Sequence, residues 1–319
     1  MRVTTLDRVL AVLVLAIGST GLLALKAGGP SADWVFSIHG LVAGALLVAV
    51  VLKAARSVPP AIRAGRTEPV VLSLVLAFAI LGALVGGFAW VASGRLLTLG
   101  QWTLLTVHAW FGLAIVPLLA VHLLPRRWRA LRSGGSRPSR RTVLIAGGLA
   151  AVSVVAFLGS TTLDRVLGGV RRFTGSRWLT PGSIPPATTF YGEPAPSIDL
   201  DAWRLRVGGR ALSIEDLRAI GETETTAVLD CTSGWALETT WRGVPLASVL
   251  QLPARGSVRI RSVTGWSTVL TEDEARTALL ATGVAGAELP PENGAPCRLV
   301  VPSRRGIDWI KWVDEVSLA

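Results

Sequence analysis

Side chains that bind soft metals or haem iron are scarce in this chain. Its 319 residues include two cysteines, three histidines and a single methionine, which is Met1. A methionine ligand to a haem inside the protein is therefore excluded. The remaining candidate ligands are the side chains of Cys231, Cys297, His39, His108 and His122.

Charge is missing from five long stretches of residues 1–163. The uncharged runs contain 17, 19, 26, 30 and 22 residues, and their charged boundaries are Arg8 and Lys26, Asp33 and Lys53, Glu68 and Arg95, Arg95 and Arg126, and Arg141 and Asp164. A membrane-spanning helix needs roughly 20 apolar residues. The sequence therefore predicts an all-α transmembrane bundle of five spans, in which the first span serves as an uncleaved signal anchor.

Acidic residues are nearly absent from the same part of the chain. Residues 1–163 hold 15 Lys and Arg against three acidic residues, whereas residues 164–319 hold 17 basic and 18 acidic residues. The basic excess lies in two loops, Lys53–Arg66 and Arg126–Arg141. By the positive-inside rule both loops and the N-terminus are cytoplasmic, so five spans place the C-terminal domain outside. The net charge of +11 thus reflects topology, and no nucleic-acid partner is expected.

One thiol stands at the head of a tryptophan-rich segment, Cys231–Leu246, with the sequence CTSGWALETTWRGVPL. A thiolate is a natural ligand for a soft or high-valent metal, and the indoles of Trp235 and Trp241 would keep water away from it. The alternative is a buried structural cysteine, which is the commoner fate of a lone thiol. Cys297 is the other thiol, and we interpret it as packing. A disulfide between the two cysteines would consume the proposed ligand.

A second motif lies near the C-terminus, in the run LPPENGAPCRLVVPSRRGIDWIKWVDEV from Leu289 to Val316. Together with the pattern C-x3-W-x5-W-x-G-x-P-L that begins at Cys231, this run resembles the sulfite-oxidase superfamily of molybdopterin enzymes. The likeness is greatest to the periplasmic methionine-sulfoxide reductase branch, and it covers about residues 178–319. It implies an α+β molybdopterin-binding fold and a molybdenum–molybdopterin cofactor, with Cys231 as the molybdenum ligand and catalytic residue.

The same resemblance implies which side chains hold the pterin and its phosphate. An arginine offers the pterin and its phosphate a planar fork of hydrogen-bond donors, whereas a lysine offers a point charge. A further segment, Thr188–Gly209, resembles the stretch with which the family's domain begins. The implied cofactor-binding residues are Tyr191, Ser262, Asn293, Arg298 and Lys311.

An arginine pair, Arg140–Arg141, follows Ser139 and leads directly into the fifth span. The run SRRTVL resembles a twin-arginine export motif, here inside the chain rather than at its N-terminus. Arginine pairs before a span are also common for topological reasons alone. A molybdopterin cofactor is inserted during folding in the cytoplasm, so a domain that carries one must cross the membrane folded. Export by the twin-arginine translocation machinery therefore agrees with the predicted molybdenum cofactor.

All three histidines lie in predicted spans. His108 and His122 are 14 residues apart on the fourth span, which places them on one face and about 21 Å apart along the axis. His39 lies near the outer end of the second span, which runs in the same direction. Histidines inside membranes are functional by default, and imidazole is a usual haem ligand. The sequence predicts a haem b between His39 and His108; the alternative is a pair of helix-packing histidines.

The histidine-bearing segments form an internal repeat. A shift of 69 residues lays SIHGLVAG, which contains His39, over TVHAWFGL, which contains His108. The same shift lays Lys53 over His122. Because a protonated lysine is a poor haem ligand, an inner haem would have His122 as its one good ligand. We therefore predict one outer haem, and a second haem at His122 stays open.

The predicted organisation has three parts, a transmembrane haem-binding domain over 1–163, a tether over 164–183 and a molybdopterin-binding catalytic domain over 184–319. Within the catalytic domain, alternating hydrophobicity predicts strands over Trp203–Val207 and Ser257–Val263. Short helices are predicted over Ser213–Ala219 and Thr271–Ala281, the second of which starts with acidic residues that suit a helix N-terminus.

The combined prediction is a molybdenum oxidoreductase anchored in the cytoplasmic membrane by several spans, with an extracytoplasmic catalytic domain. It would perform oxygen-atom transfer on a small sulfur-type substrate or on protein methionine sulfoxide, and would exchange electrons with the membrane quinone pool through haem b. Sulfoxide reduction and sulfite oxidation would use the same ligands, so the direction stays open. The alternative is a non-catalytic haem redox sensor or scaffold with a degenerate external domain, against which the intact Cys231, Asn293, Arg298 and Lys311 argue.

Overall fold

The computed structural model describes residues 5–65, 67–123, 140–180, 184–185, 194–252 and 256–319. The chain forms two compact units. The first unit comprises Met1–Ala24 and Ser31–Gly175, and the second comprises Leu25–Pro30 and Ser176–Ala319.

Long apolar helices build the first unit. They are α1 (Thr5–Lys26), α2 (Asp33–Arg63), α3 (Thr67–Ala92), α4 (Leu104–Leu123) and α5 (Arg140–Val166). Each of these five helices in the described part of the chain is long and apolar enough to cross a membrane. The five predicted spans are confirmed as helices, and their length and composition indicate a multi-pass membrane protein. A short hairpin precedes α4, and its two strands, β1 (Thr98–Leu99) and β2 (Trp102–Thr103), have two residues each.

Glycines let the helices of the first unit approach closely. A Cβ on Gly44 of α2 would lie 2.7 Å from the Cα of Ser153 on α5, and one on Gly40 would lie 2.8 Å from the ring of Phe157. Such small residues replace side-chain bulk by direct backbone contact, which is how helices pack in membranes. The apolar core between α2, α3 and α4 is formed by Leu46, Val50, Leu76, Ile80, Leu84 and Ile115.

Two sheets form the framework of the second unit. Its strands are β3 (Arg177–Trp178), β4 (Leu205–Val207), β5 (Arg210–Leu212), β6 (Thr223–Asp230), β7 (Trp235–Pro245), β8 (Ser257–Ser262), β9 (Ser267–Thr271), β10 (Leu279–Val284), β11 (Ala287–Glu288), β12 (Arg298–Val300) and β13 (Val313–Leu318). In the described part of the chain one sheet runs β11-β10-β7-β3, with β6 on β7 and β12 on β10, and the other runs β5-β4-β13-β8-β9. The predicted α+β fold is confirmed.

Short helices connect these strands. They are α6 (Ile214–Ala219), α7 (Leu246–Val249) and α8 (Glu272–Thr277). The helix predicted over Thr271–Ala281 is correct at its start but ends at Thr277, because the following residues, LLATGV, form the fully buried strand β10. A continuous apolar run of this length fits a buried strand and a helix equally well, so hydrophobicity alone does not separate them.

The first turn of α8 is tied to a distant arginine. Thr271 and Glu274 form a capping box at the start of the helix. The Nε and Nη2 atoms of Arg304 each donate a hydrogen bond to the Glu274 carboxylate, both at 2.6 Å. The Arg304 guanidinium, helped by the hydrogen bonds from Thr271, lowers the pKa of Glu274 from 4.5 to about 2 against the opposing effect of burial.

We expect Glu274→Gln to destabilise the second unit in a way that depends on pH. A carboxyl group whose pKa is lowered by folding stabilises the fold fully above its unfolded pKa, and this stabilisation disappears as the pH falls through the folded pKa. The wild type should therefore lose on the order of 1 kcal/mol, since solvent screens this partly exposed pair, as the pH falls from 4.5 to 2, and the variant should not. Unfolding free energies measured across this range by tryptophan fluorescence would test the prediction.

Glu272→Gln is the matched control for this measurement. Among the described residues Glu272 pairs with the exposed Arg276 one turn along α8, and an exposed pair of this kind is worth roughly 0.3–0.5 kcal/mol. Equal effects of the two substitutions would contradict the prediction.

Candidate active site

Cys231 lies in the turn that joins the two longest strands of the second unit. Its backbone N–H donates to the carbonyl of Trp235 at 2.8 Å, and the N–H of Gly234 donates to the carbonyl of Cys231 at 2.9 Å. Gly234 has a φ of +94°, which favours glycine. The thiol is partly exposed and not in a disulfide. The β6–β7 turn thus places Cys231 at the hydrogen-bonded end of the two strands.

A buried ion pair holds the residue before this cysteine. The Asp230 carboxylate accepts a hydrogen bond from the Ser176 hydroxyl at 2.6 Å and one from Nε of Arg305 at 3.3 Å. All three side chains are buried. No local motif singles out Asp230 or Arg305, although Arg305 lies within the C-terminal run that carries the family resemblance.

The C-terminal run folds back on itself and brings three of the predicted residues together. Asn293 ends a 3-10 turn and is followed by Gly294, whose φ is +114°. A Cβ on Gly294 would lie 3.0 Å from the Cα of Lys311 and 3.3 Å from the Cβ of Arg298. Nη1 of Arg298 donates to the Asn293 carbonyl at 2.8 Å. Glycine at position 294 therefore permits the close approach of Arg298 and Lys311.

Both cations of this cluster rest on indole rings. The Arg298 guanidinium carbon lies 5.6 Å from the ring centre of Trp241, which is fully buried. Nζ of Lys311 lies 5.1 Å from the ring centre of Trp312 and donates to the carbonyl of Glu292 at 2.9 Å. Cation–π contacts stabilise positive charge where water is excluded. Trp241 belongs to the tryptophan-rich segment after Cys231, so the two sequence motifs meet here.

Electrostatics connect the cluster with the cysteine. Burial lowers the pKa of the Arg298 guanidinium to about 10, and the negative charge of the Cys231 thiolate acts in the opposite direction. Burial, followed by repulsion from Arg298, lowers the pKa of Lys311 to about 8, and Cys231 again opposes the shift. The buried Arg298, the half-buried Lys311 and the thiol thus lie within electrostatic reach of one another, as a site for an anionic group requires.

Two buried polar atoms in this cluster are left without a hydrogen-bond partner among the described residues. They are Oδ1 of Asn293, an acceptor, and Nε of Arg298, a donor. Orphaned buried polar atoms are rare in native proteins because each costs about 1–3 kcal/mol. A polar ligand with both donors and acceptors would satisfy them, and a pterin with an anionic phosphate has this chemistry. The residues present therefore fit molybdopterin.

The remaining predicted residues of this site differ in how far the structure describes them. Ser262 ends β8, and the N–H of the next residue, Val263, donates to the carbonyl of Trp312 at 3.0 Å, so Ser262 adjoins the Lys311 segment. The Ser262 hydroxyl accepts hydrogen bonds from Thr264 at 3.2 and 3.0 Å. Tyr191 lies outside the described residues. Pterin contacts by Ser262 and Tyr191 stay predictions.

Cys297 occupies a different environment from Cys231. It is fully buried and not in a disulfide, and burial raises the pKa of its thiol. Its carbonyl accepts a hydrogen bond from the N–H of Val313 at 2.8 Å. An inert thiol within a close-packed core agrees with the packing interpretation.

The first unit contains a second candidate site, formed by two of the three histidines. The ring centres of His39 on α2 and His108 on α4 are 6.0 Å apart, and their planes are inclined at 81°. Nδ1 of His39 lies 3.0 Å from the Thr20 hydroxyl, and Nδ1 of His108 lies 2.6 Å from the Ala83 carbonyl. The predicted proximity of these histidines is therefore present in the fold.

The third histidine lies apart from this pair. His122 follows His108 by about four turns of α4. Its repeat equivalent, Lys53, forms an ion pair with Asp7 of α1 at 2.5 Å. The amine of Lys53 is thus engaged by a carboxylate.

Comparison with known proteins identifies the class. Residues 192–319 match the oxidoreductase molybdopterin binding domain. The protein-methionine-sulfoxide reductase catalytic subunit MsrP of Gluconobacter oxydans (strain 621H) is 30% identical over 227 residues, which cover 56% of this chain and 69% of that protein. The chain belongs to the family of molybdopterin-binding oxidoreductases, as the sequence motifs predicted.

Further relatives carry the same printed name. The MsrP catalytic subunits of Xanthomonas axonopodis pv. citri (strain 306) and Xanthomonas campestris pv. campestris are 36% and 35% identical over 149 residues, 38% of this chain. The chain spans 46% of the length of each of these two relatives. Among solved structures, the sulfane dehydrogenase SoxCD from Paracoccus pantotrophus matches 39% of this chain and 40% of its own at 24% identity, with a TM-score of 0.36.

Proposed function

We propose that this protein is a membrane-anchored molybdenum enzyme that reduces methionine sulfoxide on the extracytoplasmic side of the cytoplasmic membrane. Its electrons would come from the membrane quinone pool through a haem b in the first unit. The observation that supports the catalytic part most directly is the cluster of two cations, the buried Arg298 and the half-buried Lys311, within electrostatic reach of the Cys231 thiol.

Each residue of the cluster has a distinct task in this proposal. A molybdopterin centre supplies two-electron oxygen-atom chemistry when it is bound. Cys231 would ligate the molybdenum through its thiolate, since sulfur suits soft and high-valent metals. Arg298 and Lys311 would neutralise the phosphate and contact the pterin, and Asn293 would accept a hydrogen bond through Oδ1. The indole of Trp241 excludes water beneath Arg298, which strengthens these interactions.

The direction of the reaction is proposed from the relatives. Their printed names describe reductases of protein methionine sulfoxide, so we assign reduction rather than sulfite oxidation to this chain. The sulfoxide accepts two electrons and two protons, the S–O bond breaks, and the products are a thioether and water. A quinol supplies two electrons and two protons, so the overall reaction balances.

The haem is proposed from the geometry of the histidine pair. Imidazole–metal bonds measure about 2.0–2.1 Å, so a metal held by both imidazoles would need their ring centres roughly 6 Å apart. The rings of His39 and His108 are 6.0 Å apart. Because the Nδ1 atoms of both rings contact oxygen atoms, the Nε2 atoms are the ones available to iron. The ion pair of Lys53 with Asp7 supports a single haem over a second one at His122.

Both redox sites on one chain would make electron transfer intramolecular. A covalent connection replaces a diffusional encounter by a high effective concentration. The alternative of a haem sensor with a degenerate external domain is disfavoured, because degeneration would not preserve a thiol, two cations and an amide oxygen without a protein partner in one cluster.

The test of this function is a measurement on the purified full-length protein. Elemental analysis should find about one molybdenum per chain, and a quinol should support reduction of both free and protein-bound methionine sulfoxide. Molybdenum without sulfoxide reduction would refute the substrate, and absence of molybdenum would refute the catalytic proposal itself.

Export by the twin-arginine route is a separate part of the proposal. We expect Arg140→Lys combined with Arg141→Lys to leave the catalytic domain in the cytoplasm, while the first four spans stay inserted. The double substitution keeps the positive-inside charge constant, so it separates recognition of the arginine pair from topology. Protease accessibility of the domain in spheroplasts is the measurement.

Arg56→Lys with Arg63→Lys is the matched control, because it makes the same change in the other basic segment. Normal outside accessibility of the domain in the Arg140–Arg141 variant would contradict the twin-arginine route and favour export of the unfolded chain.

A further inference from the structure

The two imidazoles of the histidine pair lie nearly perpendicular to each other, at 81°. Coordination to one iron fixes the distance between two axial imidazoles but leaves each ring free to turn about its iron–nitrogen bond. The angle between the planes is therefore set by the protein around the rings. Different helices contact the two rings, α1 at His39 and α3 at His108.

Thr20 provides the side-chain contact on the His39 side, next to a backbone hydrogen bond between His39 and Ile17. Its buried hydroxyl lies 2.8 Å from the carbonyl of Ala16, one turn earlier in α1. A threonine in a helix commonly donates to this carbonyl, and the hydroxyl has a single proton. Its oxygen is then an acceptor toward Nδ1 of His39 at 3.0 Å. His39 therefore carries its proton on Nδ1, which leaves Nε2 unprotonated for a metal.

The His108 side is held by the backbone of α3. Nδ1 of His108 donates to the carbonyl of Ala83 at 2.6 Å. This carbonyl belongs to the backbone, so substitution of a side chain cannot remove it. Of the contacts from Thr20 and Ala83 to the histidine Nδ1 atoms, a side-chain substitution can therefore remove the one from Thr20.

Glycines next to the rings restrict their rotation further. A Cβ on Gly87 would lie 3.1 Å from Cε1 and Nδ1 of His108, and one on Gly21 would lie 3.3 Å from Cε1 of His39. The rings thus pack against bare backbone. Such close packing, together with a hydrogen bond at Nδ1, gives each imidazole one preferred orientation.

We infer that Thr20 is a positioning residue for the axial ligand His39, and that it holds the two imidazole planes of a bis-histidine haem nearly perpendicular. The inference rests on the haem proposed above. Perpendicular planes bring the two iron dπ orbitals close in energy, which produces a strongly anisotropic low-spin ferric signal. The hydrogen bond from Nδ1 also makes the imidazole a stronger electron donor and so lowers the reduction potential of the haem.

The test is electron paramagnetic resonance and redox titration of the membrane-bound protein and three variants. The wild type should show the single high-g feature of perpendicular imidazoles. Thr20→Val keeps the shape but removes the acceptor, so the signal should move toward the rhombic, three-feature form and the haem potential should rise. Thr20→Ser retains a hydroxyl and should restore both properties.

Thr161→Val is the matched control. Thr161 makes the same backbone contact within α5, with its hydroxyl 3.0 Å from the carbonyl of Phe157, and it should leave signal and potential unchanged. A change in Thr161→Val equal to that in Thr20→Val would mean that the effect is structural and would overturn the inference.

The outcomes separate this inference from the haem proposal. A wild type without haem would refute the haem. A wild type whose haem depends on both His39 and His108 but gives a rhombic spectrum would refute the perpendicular arrangement alone. An unchanged signal and potential in Thr20→Val would refute the role of Thr20. If Thr20→Val loses its haem, Thr20→Ser decides, since a departure of its spectrum from the wild type overturns the inference.

Discussion

Cys231→Ser is expected to reduce sulfoxide reductase activity by more than about 10³-fold, equivalent to at least about 4 kcal/mol of transition-state stabilisation, while the protein stays folded. A serine hydroxyl is a hard ligand with a much higher pKa than a thiol, so it does not replace a thiolate on molybdenum. The cysteine lies in a partly exposed turn, where exchange of sulfur for oxygen disturbs little packing. Turnover, molybdenum content and the thermal unfolding midpoint should be measured on the same preparation.

The other cysteine offers the matched control. Cys297→Ala removes a fully buried thiol, so it should cost about 1 kcal/mol of stability and leave molybdenum content and turnover intact. Full activity of Cys231→Ser would refute the ligand assignment. Loss of activity in both variants would point to the fold rather than to the metal.

His39→Ala and His108→Ala should each abolish the low-spin haem spectrum of the membrane part. One remaining imidazole cannot supply both axial ligands, and no methionine is available inside the protein to replace the other. His122→Ala should leave most of the spectrum, because His122 lies about four turns of α4 away from His108. Reduced-minus-oxidised spectra and the haem-to-protein ratio are the measurements.

A ratio of two haems per chain, with one lost in His122→Ala, would contradict the single outer haem. Lys53 would then be the residue to test next, since Lys53→Met would release Asp7 and remove the ion pair at the repeat-equivalent position. Persistence of the low-spin spectrum in His39→Ala would contradict the ligand pair itself.

Much of the fold could be predicted because long apolar runs and alternating strands leave direct traces in a sequence. The length of the runs is sufficient to give five helices. The extent of α2 is not predictable in this way, since the helix continues past Lys53 through Pro59 and Pro60 to Arg63. The basic residues there end the hydrophobic run, but they also favour a helix C-terminus. The end of the uncharged run therefore does not mark the end of the helix.

The candidate site was predictable only where motifs are contiguous. Cys231 and the run that contains Asn293, Arg298 and Lys311 were identified from local sequence, and the fold brings them together. The ion pair of Asp230 with Arg305 could not be identified, because its members come from separate segments and only the packing of β6 against the 306–308 turn joins them. A Cβ on Gly306 would lie 2.9 Å from the Asp230 carbonyl, which shows how closely these segments approach.

The glycine contacts of α2 have a consequence for the order of assembly. Gly40 and Gly44 pack against α5, and α5 begins with the arginine pair that we propose directs export. Under this route α5 enters the bilayer last, after the domain that follows it has received its cofactor. The small-residue face of the helix that carries His39 would therefore stay unpacked until α5 inserts. A chain whose cofactor insertion failed would keep this face exposed, and membrane proteases could recognise it. Biogenesis of the two redox centres would thus be coupled through one helix–helix contact.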